Sequence, residues 1–363
     1  MTIVAMDIFP IRLTLRDPIP MSSGVVSSSG NVVIRLTDDE GNVGWGEGVE
    51  APAMTGQTQA DIVADLERLR PLVVGADPTV IAGLWSRARS SVPSGTTATG
   101  AIDIALHDLV ARSLGVPVHR LLGGAVRDRV PALALVGSGN PGVDAEKLEK
   151  RRSEGFTWFK VKLGMGTMDD EWGTLSLACD LAGADGVVCG DANEAWDEEE
   201  AVRFLEGIDE AVRFVEQPVP RRDHASLLRV AERSPVAICA DESAGTLEAV
   251  LGLAGTAVAG VSLKLIKHGG ITGVMRGAAI CSAAGLEVNL AGKVIESSIS
   301  AAANLHCAAA MGTIDFGCSP ANQGVVLDVV DDPISVVDGS FSVPSGPGLG
   351  VTVDEEALRR LAG

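Results

Sequence analysis

The segment Phe159-Lys160-Val161-Lys162 decides the fold, because four similar short runs follow it along the chain. Each run consists of β-prone or small residues that end in one charged residue: Gly190-Asp191, Val215-Glu216, Ala240-Asp241 and Leu263-Lys264. The three acidic residues are spaced 25 residues apart, with Lys162 lying 29 residues before the first and Lys264 lying 23 after the last. A period of about 25 residues is one strand-and-helix unit, and consecutive units of this kind close into a (β/α)8 TIM barrel of the α/β class.

The chain divides into three segments with different sequence patterns, which indicate two domains and a C-terminal segment that packs back on the first domain. Residues 1–125 contain strand-like stretches at 3–8, 31–37 and 43–47 and a helical region over 56–115, which predict an α+β capping domain. Residues 126–325 alternate short β-rich runs with helices, which predicts the parallel strands of the barrel. The predicted barrel strands include 158–163, 186–190, 211–215, 236–240, 260–265, 286–290 and 313–316. Residues 326–363, punctuated by Pro and Gly, are expected to pack back on the capping domain.

Composition narrows the range of partners for this 363-residue chain. The net charge of −19 disfavours nucleic acid and anionic membranes, because like charges repel. The six cysteines contain no C-x-x-C pair, and the first residues lack the basic segment of a signal peptide. We therefore expect a cytoplasmic protein with reduced thiols, a homo-oligomer whose partner is a small carboxylate substrate.

The charged strand ends predict a metal-dependent acid–base site. Residues at the C-terminal ends of barrel strands point into one mouth, where the active sites of barrels lie. Asp191, Glu216 and Asp241 offer hard oxygen ligands, which suit Mg²⁺ and also Mn²⁺. Strand alternation directs Lys160 and Lys162 to the same face, and burial or a nearby cation is expected to lower a lysine pKa toward the range of a general base.

A further lysine faces the first pair across the predicted mouth. Lys264 ends the sixth barrel strand and Lys162 ends the second, and these strands stand on roughly opposite sides of an eight-stranded barrel. A substrate held between them would have one lysine on each face. Lys267, beside His268-Gly269-Gly270, is either a supporting charge or an ordinary loop residue.

These motifs resemble the enolase superfamily, in its mandelate racemase and muconate-lactonizing branch. The K-x-K strand followed by D, E and D at barrel spacing carries the resemblance, and segments 44–47 and 101–124 look like the capping domain and first crossover of that family. The resemblance implies an enolase-like (β/α)7β barrel that uses Mg²⁺. By this resemblance, Asp191, Glu216 and Asp241 are the metal ligands. Lys162 and Lys264 form the acid–base pair, with Lys160 beside them. Asn193, Glu242 and Lys267 are supporting side chains.

The segments around the seventh and eighth strands bear on the substrate. Residues 292–299 and 314–317 resemble family members that act on proline derivatives, namely hydroxyproline dehydratases and proline-betaine epimerases. A quaternary ammonium group would need aromatic faces to bind it, and the chain has no Tyr. An unmodified amino acid is therefore favoured as the substrate over a betaine. The first hypothesis is therefore dehydration of a cyclic hydroxy amino acid such as cis-3-hydroxy-L-proline through an enolate. Racemisation or epimerisation of amino acid derivatives, muconate-type cycloisomerisation and a catalytically silent metal-binding scaffold are the alternatives.

The expected substrate contacts lie near the ends of the first, seventh and eighth barrel strands: Ser138, Lys293, Glu296 and Phe316. Three of these positions also have a purely structural interpretation, since Ser138 fits a simple turn, Lys293 a rim charge and Phe316 the barrel core. Residues 18–29, which are rich in Ser and Gly, are predicted to close over the mouth as a lid.

Overall fold

An antiparallel three-stranded sheet opens the chain. The structure, a computed structural model, describes residues 1–21 and 24–362. The sheet consists of β1 (Ile3–Met21), β2 (Gly24–Asp38) and β3 (Val43–Val49) in the order β1-β2-β3. β1 and β2 are longer than the sequence predicts, and together they form a hairpin that takes in the described part of the predicted lid, residues 18–29. Ser22 and Ser23 of that segment lie outside the described residues.

Four helices follow the sheet, and the last of them is the centre of the N-terminal unit. They are α1 (Pro52–Thr55), α2 (Gln59–Val73), α3 (Ile81–Ser91) and α4 (Thr96–Ser113). α4 is buried on all sides over residues 97–111, because it lies between the sheet and the barrel. Glycine makes this packing possible: a Cβ on Gly46 would stand 2.0 Å from the carbonyl oxygen of Ala101, so only glycine lets β3 lie directly on α4.

The barrel is an eight-stranded parallel sheet, in agreement with the predicted fold class. The barrel strands run from β5 to β12 in chain order, and a parallel bridge between Ala132 and Cys318 brings the last strand to the first. Its elements are β5 (Leu133–Val136), α5 (Pro141–Ser153), β6 (Trp158–Lys162), α6 (Met168–Ala182), β7 (Val187–Asp191), α7 (Glu198–Glu206), β8 (Phe214–Glu216), α8 (His224–Arg233), β9 (Ala237–Ala240), α9 (Leu247–Gly252), β10 (Gly260–Leu263), α10 (Leu265–His268), α11 (Ile271–Ala284), β11 (Glu287–Ala291), α12 (Ser298–Ala310) and β12 (Gly317–Ser319).

An apolar layer fills the barrel at the N-terminal ends of its strands. Leu133, Cys189, Phe214, Cys239 and Phe316 are all buried there, and the two phenylalanine rings stack with their centroids 4.1 Å apart. This layer leaves the opposite end of the barrel to the charged residues. The mouth therefore lies at the C-terminal ends of the strands, as the sequence predicts.

The eighth barrel strand is the element whose predicted position is wrong. The apolar residues of 313–316 predict a strand there, whereas β12 begins only at Gly317. Gly317 has a φ of 110°, a conformation that ends the preceding turn and starts the strand.

The residues after the barrel contact both parts of the molecule. β13 (Val336–Val337) and β14 (Ser340–Ser342) pair with β4 (Arg129–Pro131), a short strand that precedes the barrel. α13 (Glu355–Ala362) packs against β1 of the N-terminal sheet, where Glu355 forms an ion pair of 3.1 Å with Arg35. Within the described part of the chain, every helix is too short or too polar to cross a membrane.

Candidate active site

The K-x-K strand places two ammonium groups inside the barrel. Alternation along β6 directs both side chains inward, and Lys160 and Lys162 are 6% and 9% exposed. Lys162 donates to Asp191 Oδ2 at 2.6 Å and also to Asn193 Oδ1, while Lys160 donates to Glu216. Although burial opposes it, the carboxylates of Glu216 and Asp191 raise the pKa of Lys160 well above its usual value. At Lys160 the carboxylate partners thus outweigh burial, and the expectation of a lowered lysine pKa, which included a bound cation, stays a prediction.

Three buried carboxylates line the neighbouring strand ends. Asp191 and Glu216 are paired in register on β7 and β8, and Asp241 directly follows β9. Although burial raises it, the lysine partners hold the pKa of Asp191 and that of Asp241 below the usual value. Glu216 differs, because burial raises its pKa more than Lys160 lowers it. Asp191 and Asp241 also raise the pKa of Glu216, and Asp241 raises that of Asp191, so the charges of the three groups lie close enough to interact.

Two more lysines, which follow the sixth barrel strand β10, both bind the carboxylate of Asp241. Lys264 donates to Asp241 Oδ2, and Lys267 donates to Asp241 Oδ1 at 2.6 Å and to its main-chain oxygen at 2.7 Å. Lys267 is 3% exposed and donates as well to Ser262 O at 2.8 Å, so it is a buried supporting group rather than an ordinary loop charge. Although burial opposes it, Asp241 raises the pKa of Lys264.

Asn193 and Glu242 connect the two sides of this cluster. Asn193 accepts from Lys162 and donates through Nδ2 to Glu242 Oε1 at 3.3 Å, and its φ of 45° turns the chain after β7. Burial raises the pKa of Glu242 to about 7, and the neighbouring charge of Asp241 adds to this effect. Oε2 of Glu242 is buried and has no hydrogen-bond partner among the described residues.

The four expected substrate contacts lie in three different places. Lys293 follows β11, and its pKa is lowered first by burial and then by the charges of Lys264 and Lys162, which lie near it at the mouth. Glu296 is buried and accepts main-chain N–H groups from Lys293 at 3.1 Å and Ala321 at 2.8 Å, so it holds the loop.

The side chains of Ser138 and Phe316 make structural contacts in the described chain. Ser138 follows β5, half-buried, and its hydroxyl is used in the turn with Asn140. The preceding Gly137 lies against the backbone of Lys162, so this turn does border the mouth. Phe316 is 1% exposed in the apolar layer at the other end of the barrel, so its prediction as a substrate contact is not supported by its position.

Several supporting residues were missed by sequence reasoning. Gln217 is fully buried with a φ of 39°, and its Oε1 accepts from Asp241 N and Ser243 N, both at 3.0 Å. This amide therefore fixes the end of β9 to the end of β8. Its position directly after Glu216, before a proline, was the signal that could have revealed it. Ser262, inside the barrel, donates to Glu216 Oε1 at 2.6 Å.

The N-terminal unit covers part of the mouth with an apolar contact. Val49, Ala51 and Met54 pack against Ile266, which follows Lys264 by two residues. The described part of the predicted lid belongs to the β1–β2 hairpin. The main chain of this hairpin contacts the residues after β12, where Arg16 N donates a hydrogen bond to Gly324 O at 2.9 Å. That hairpin therefore starts at the mouth end of the barrel.

The three carboxylates have the donor chemistry of a site for a hard divalent cation, since all their ligand atoms are oxygens. In the structure each of them faces a lysine, and over residues 1–21 and 24–362 no three Asp, Glu, His or Cys side chains stand close enough together to hold a metal ion. The residues thus fit such a cation by the chemistry of their oxygen atoms, and the ligand assignment stays a prediction.

Comparison with known proteins gives matches over nearly the whole chain. Residues 3–123 match the mandelate racemase/muconate lactonizing enzyme N-terminal domain, and residues 144–357 match the enolase C-terminal domain-like family. A chloromuconate cycloisomerase of Pseudomonas putida is 34% identical over 369 residues, which cover 99% of this chain and 98% of the relative.

Two solved structures have nearly the same fold. The muconate lactonizing enzyme of Pseudomonas fluorescens, complexed with muconolactone, has a TM-score of 0.92 and 29% identity, and the match covers 99% of each chain. The N-succinyl Arg/Lys racemase of Bacillus cereus has a TM-score of 0.92 and 25% identity, over 99% of this chain and 98% of the racemase. These relatives are enzymes, so they confirm the prediction of an enzyme and give no support to a silent scaffold.

Proposed function

Because the chain belongs to the mandelate racemase/muconate lactonizing enzyme family of the enolase superfamily, we propose that it is an isomerase of the cycloisomerase type. It would move a proton at the carbon next to a substrate carboxylate while a ring closes or opens. One observation carries the proposal: Lys162 and Lys264 end strands that stand four apart in the eight-stranded barrel, with the three carboxylates on the arc between them.

The lysines account for the proton movement. In ring closure, a substrate oxygen bonds to one carbon of a carbon–carbon double bond, and the enolate formed takes a proton from one lysine at the carbon next to the carboxylate. Ring opening is the reverse, with the lysine as base, so no other atom enters or leaves. Lys160, bonded to Glu216, adds a fixed positive charge beside the developing negative charge.

The acidic residues would hold the cofactor. Enzymes of this family use a divalent metal, usually Mg²⁺. Asp191, Glu216 and Asp241 are the residues that would bind Mg²⁺ or Mn²⁺ here, and a bound cation would supply positive charge to the substrate carboxylate. Asn193 supports this arrangement, because its N–H donates to Asp191 Oδ1 at 3.2 Å while its side chain holds Lys162.

A second candidate is the dehydration of a cyclic hydroxy amino acid such as cis-3-hydroxy-L-proline. The observation that favours it is the buried, unpartnered Oε2 of Glu242, which could accept a hydrogen bond from a substrate amino group. One lysine would take the proton next to the carboxylate, and the other would protonate the leaving hydroxyl, which departs as water. Racemisation by the same lysine pair is a third outcome of the test below.

The test is product analysis by NMR in D₂O, with the magnesium-loaded enzyme and a panel containing muconate, muconolactone and cis-3-hydroxy-L-proline. The expected result is ring closure of the unsaturated acid with one deuterium at the carbon next to the carboxylate. Lys162→Ala and Lys264→Ala should each lower the rate by about 10²–10⁴-fold, the usual range for an acid–base group. Lys150→Ala, which removes an exposed lysine of α5, is the matched control.

Products other than the ring-closed acid would indicate a different reaction. Loss of water from the hydroxyproline without reaction on muconate would replace the cycloisomerase by the second candidate, and inversion with deuterium uptake would indicate a racemase. If both alanine variants exchange deuterium at the wild-type rate, the two-lysine mechanism is wrong.

A further inference from the structure

Two polar side chains lie inside the barrel, between its apolar layer and the charged mouth. Ser262 on β10 and Asn289 on β11 are paired in register, and both are fully buried. The hydroxyl oxygen of Ser262 lies 3.6 Å from Cys239 Sγ in the apolar layer and 2.6 Å from Glu216 Oε1 at the mouth. Neither residue is a predicted metal ligand or a member of the lysine pair, so the proposed function leaves their presence unexplained.

The hydrogen bonds between these residues run in one direction. Asn289 Nδ2 donates to Ser262 Oγ at 2.8 Å, and the hydroxyl of Ser262 donates to Glu216 Oε1 at 2.6 Å. An amide nitrogen can only donate and a hydroxyl has a single proton, so the bond from Asn289 leaves that proton for Glu216. Asn289 Nδ2 also donates to Glu216 Oε2 at 3.4 Å. Two short side chains on neighbouring strands thus hold both oxygens of this carboxylate.

The lysine beside Glu216 does not fix the carboxylate by itself. Lys160 donates to Glu216 Oε2 but also lies 3.8 Å from Asp191 Oδ2, so its long side chain is shared between two acids. Ser262 and Asn289 have few rotatable bonds, and their strands fix their main chains. They therefore restrict the orientation of Glu216 more tightly than the lysine does.

The orientation of the Asn289 amide indicates the same requirement. Its Oδ1 is buried without a hydrogen-bond partner among residues 1–21 and 24–362, which is unfavourable for a polar atom. The reversed amide would place Oδ1 against the carboxylate oxygen of Glu216, where like partial charges repel. A leucine of nearly the same size would leave no oxygen without a partner, but it would supply no donor. The unpartnered oxygen is therefore the consequence of directing Nδ2 toward Ser262 and Glu216.

From these contacts we propose that Ser262 and Asn289 are positioning residues for Glu216, which hold its carboxylate in place as a ligand for the divalent cation. Asn289 acts mainly through Ser262, and neither residue exchanges a proton with the substrate. The inference rests on the proposed function, because it takes Glu216 as one of the metal ligands. Hydrogen bonds that orient a ligating carboxylate typically account for about 10- to 100-fold in metal affinity.

The test measures the binding of Mn²⁺ to the full-length protein, which does not require turnover. Isothermal titration calorimetry on the metal-free protein would compare the wild type with Ser262→Ala, Asn289→Leu and the double variant. We expect Ser262→Ala to raise the Kd for Mn²⁺ by about 10- to 100-fold. Asn289→Leu should raise it less, because Ser262 keeps its bond to Glu216. The double variant should raise it by less than the product of the two single effects, since both changes interrupt one chain of bonds.

Turnover and a control variant separate positioning from a general loss of structure. Excess Mn²⁺ should restore most of kcat in Ser262→Ala, because the lysine pair is intact. Ser226→Ala is the matched control, since it removes a buried hydroxyl that donates to Glu198 and Asp223 at α8, and it should leave the Kd for Mn²⁺ unchanged. Circular dichroism checks that each variant is folded, and Asn289→Leu keeps the side-chain volume should Ser262→Ala fail to fold.

The remaining outcomes distinguish the inference from the proposed function. An unchanged Kd in Ser262→Ala and Asn289→Leu, or an equal weakening in Ser226→Ala, would overturn the inference while the metal assignment stands. A double effect equal to the product of the single effects would contradict the action of Asn289 through Ser262. If the wild type binds no Mn²⁺, or if Glu216→Gln binds it as tightly as the wild type, the metal assignment in the proposed function fails and the inference fails with it.

Discussion

The side chain of Glu47 is the principal polar link between the N-terminal sheet and the barrel. It is 2% exposed and accepts hydrogen bonds from Asn31 Nδ2 at 2.7 Å, Ser297 N at 3.0 Å, Ser297 Oγ at 2.8 Å and Ser300 N at 3.3 Å. Three of these donors lie at the N-terminus of α12, since Ser297 is its N-cap and Ser300 belongs to its first turn, and the helix dipole favours a negative charge there. Glu47 therefore caps a barrel helix from the other domain.

Replacing Glu47 by Ala should destabilise the protein by about 3–5 kcal/mol, because it leaves several buried hydrogen-bond donors without a partner. Each buried donor left without a partner costs about 1–3 kcal/mol, and partial relaxation keeps the total below the sum of four such terms. The assay is urea denaturation followed by circular dichroism. Glu40→Ala, which removes an exposed acid from the turn before β3, should change stability by less than about 0.5 kcal/mol.

The pH dependence of this effect has a defined sign. Burial raises the pKa of Glu47 above its usual 4.5, so the folded state binds this proton more readily than the unfolded state. The contribution of Glu47 is then fully present below the usual value and declines as pH rises through the folded value. The gap between wild type and Glu47→Ala should be larger at about pH 5 than at about pH 8. A variant no less stable than Glu40→Ala at both pH values would refute the link between the domains.

Three further predictions concern the mouth and the barrel core. Lys267→Met should destabilise the protein by about 3 kcal/mol in urea denaturation, because it breaks three buried hydrogen bonds to Asp241 and Ser262. An effect no larger than that of Lys150→Met would contradict the supporting role of Lys267. Burial lowers the pKa of Lys293 to about 8, so the affinity for muconate should fall as pH rises through that value in the wild type but not in Lys293→Arg. Parallel pH profiles of the two proteins would argue against Lys293 as a substrate contact. Phe316→Ala should cost about 3–5 kcal/mol of stability with little change in KM, and a large rise in KM would return Phe316 to the substrate site.

The strand-end residues could be predicted because their information is local and periodic. Lys162, Asp191, Glu216, Asp241 and Lys264 each follow a short β-rich run, and barrel topology then brings all five ends to one mouth. No long-range contact had to be known for this step.

Residues whose role depends on a turn or on a distant partner could not be predicted in this way. Lys267 stands beside His268-Gly269-Gly270 and looks like part of a loop, but the short helix α10 turns its side chain back to Asp241. Phe316 follows an apolar stretch that resembles a strand, but the turn at Gly317 sends its ring to the opposite end of the barrel.

The sequence separation of the domain contacts explains why they were missed as well. Glu47 and Ser297 are 250 residues apart, and nothing in either segment alone indicates that an acid from one domain caps a helix of the other. Such a contact exists only after the barrel has closed and the N-terminal sheet has packed on it.

The turn that carries Lys293 depends on the same domain contact. Ile295 has a φ of 67°, which is strained for a β-branched residue and persists only when its surroundings hold it. Asn31 donates to Ile295 O at 2.9 Å, and Glu47 binds Ser297 two residues later, so the N-terminal sheet fixes this turn from outside the barrel. Lys293, which is predicted as a substrate contact, is therefore held in place with the help of the N-terminal sheet, while Lys162 and Lys264 are held by the barrel strands. Substitutions at Asn31 or Glu47 are therefore expected to alter the turn that carries Lys293 without contacting Lys162 or Lys264.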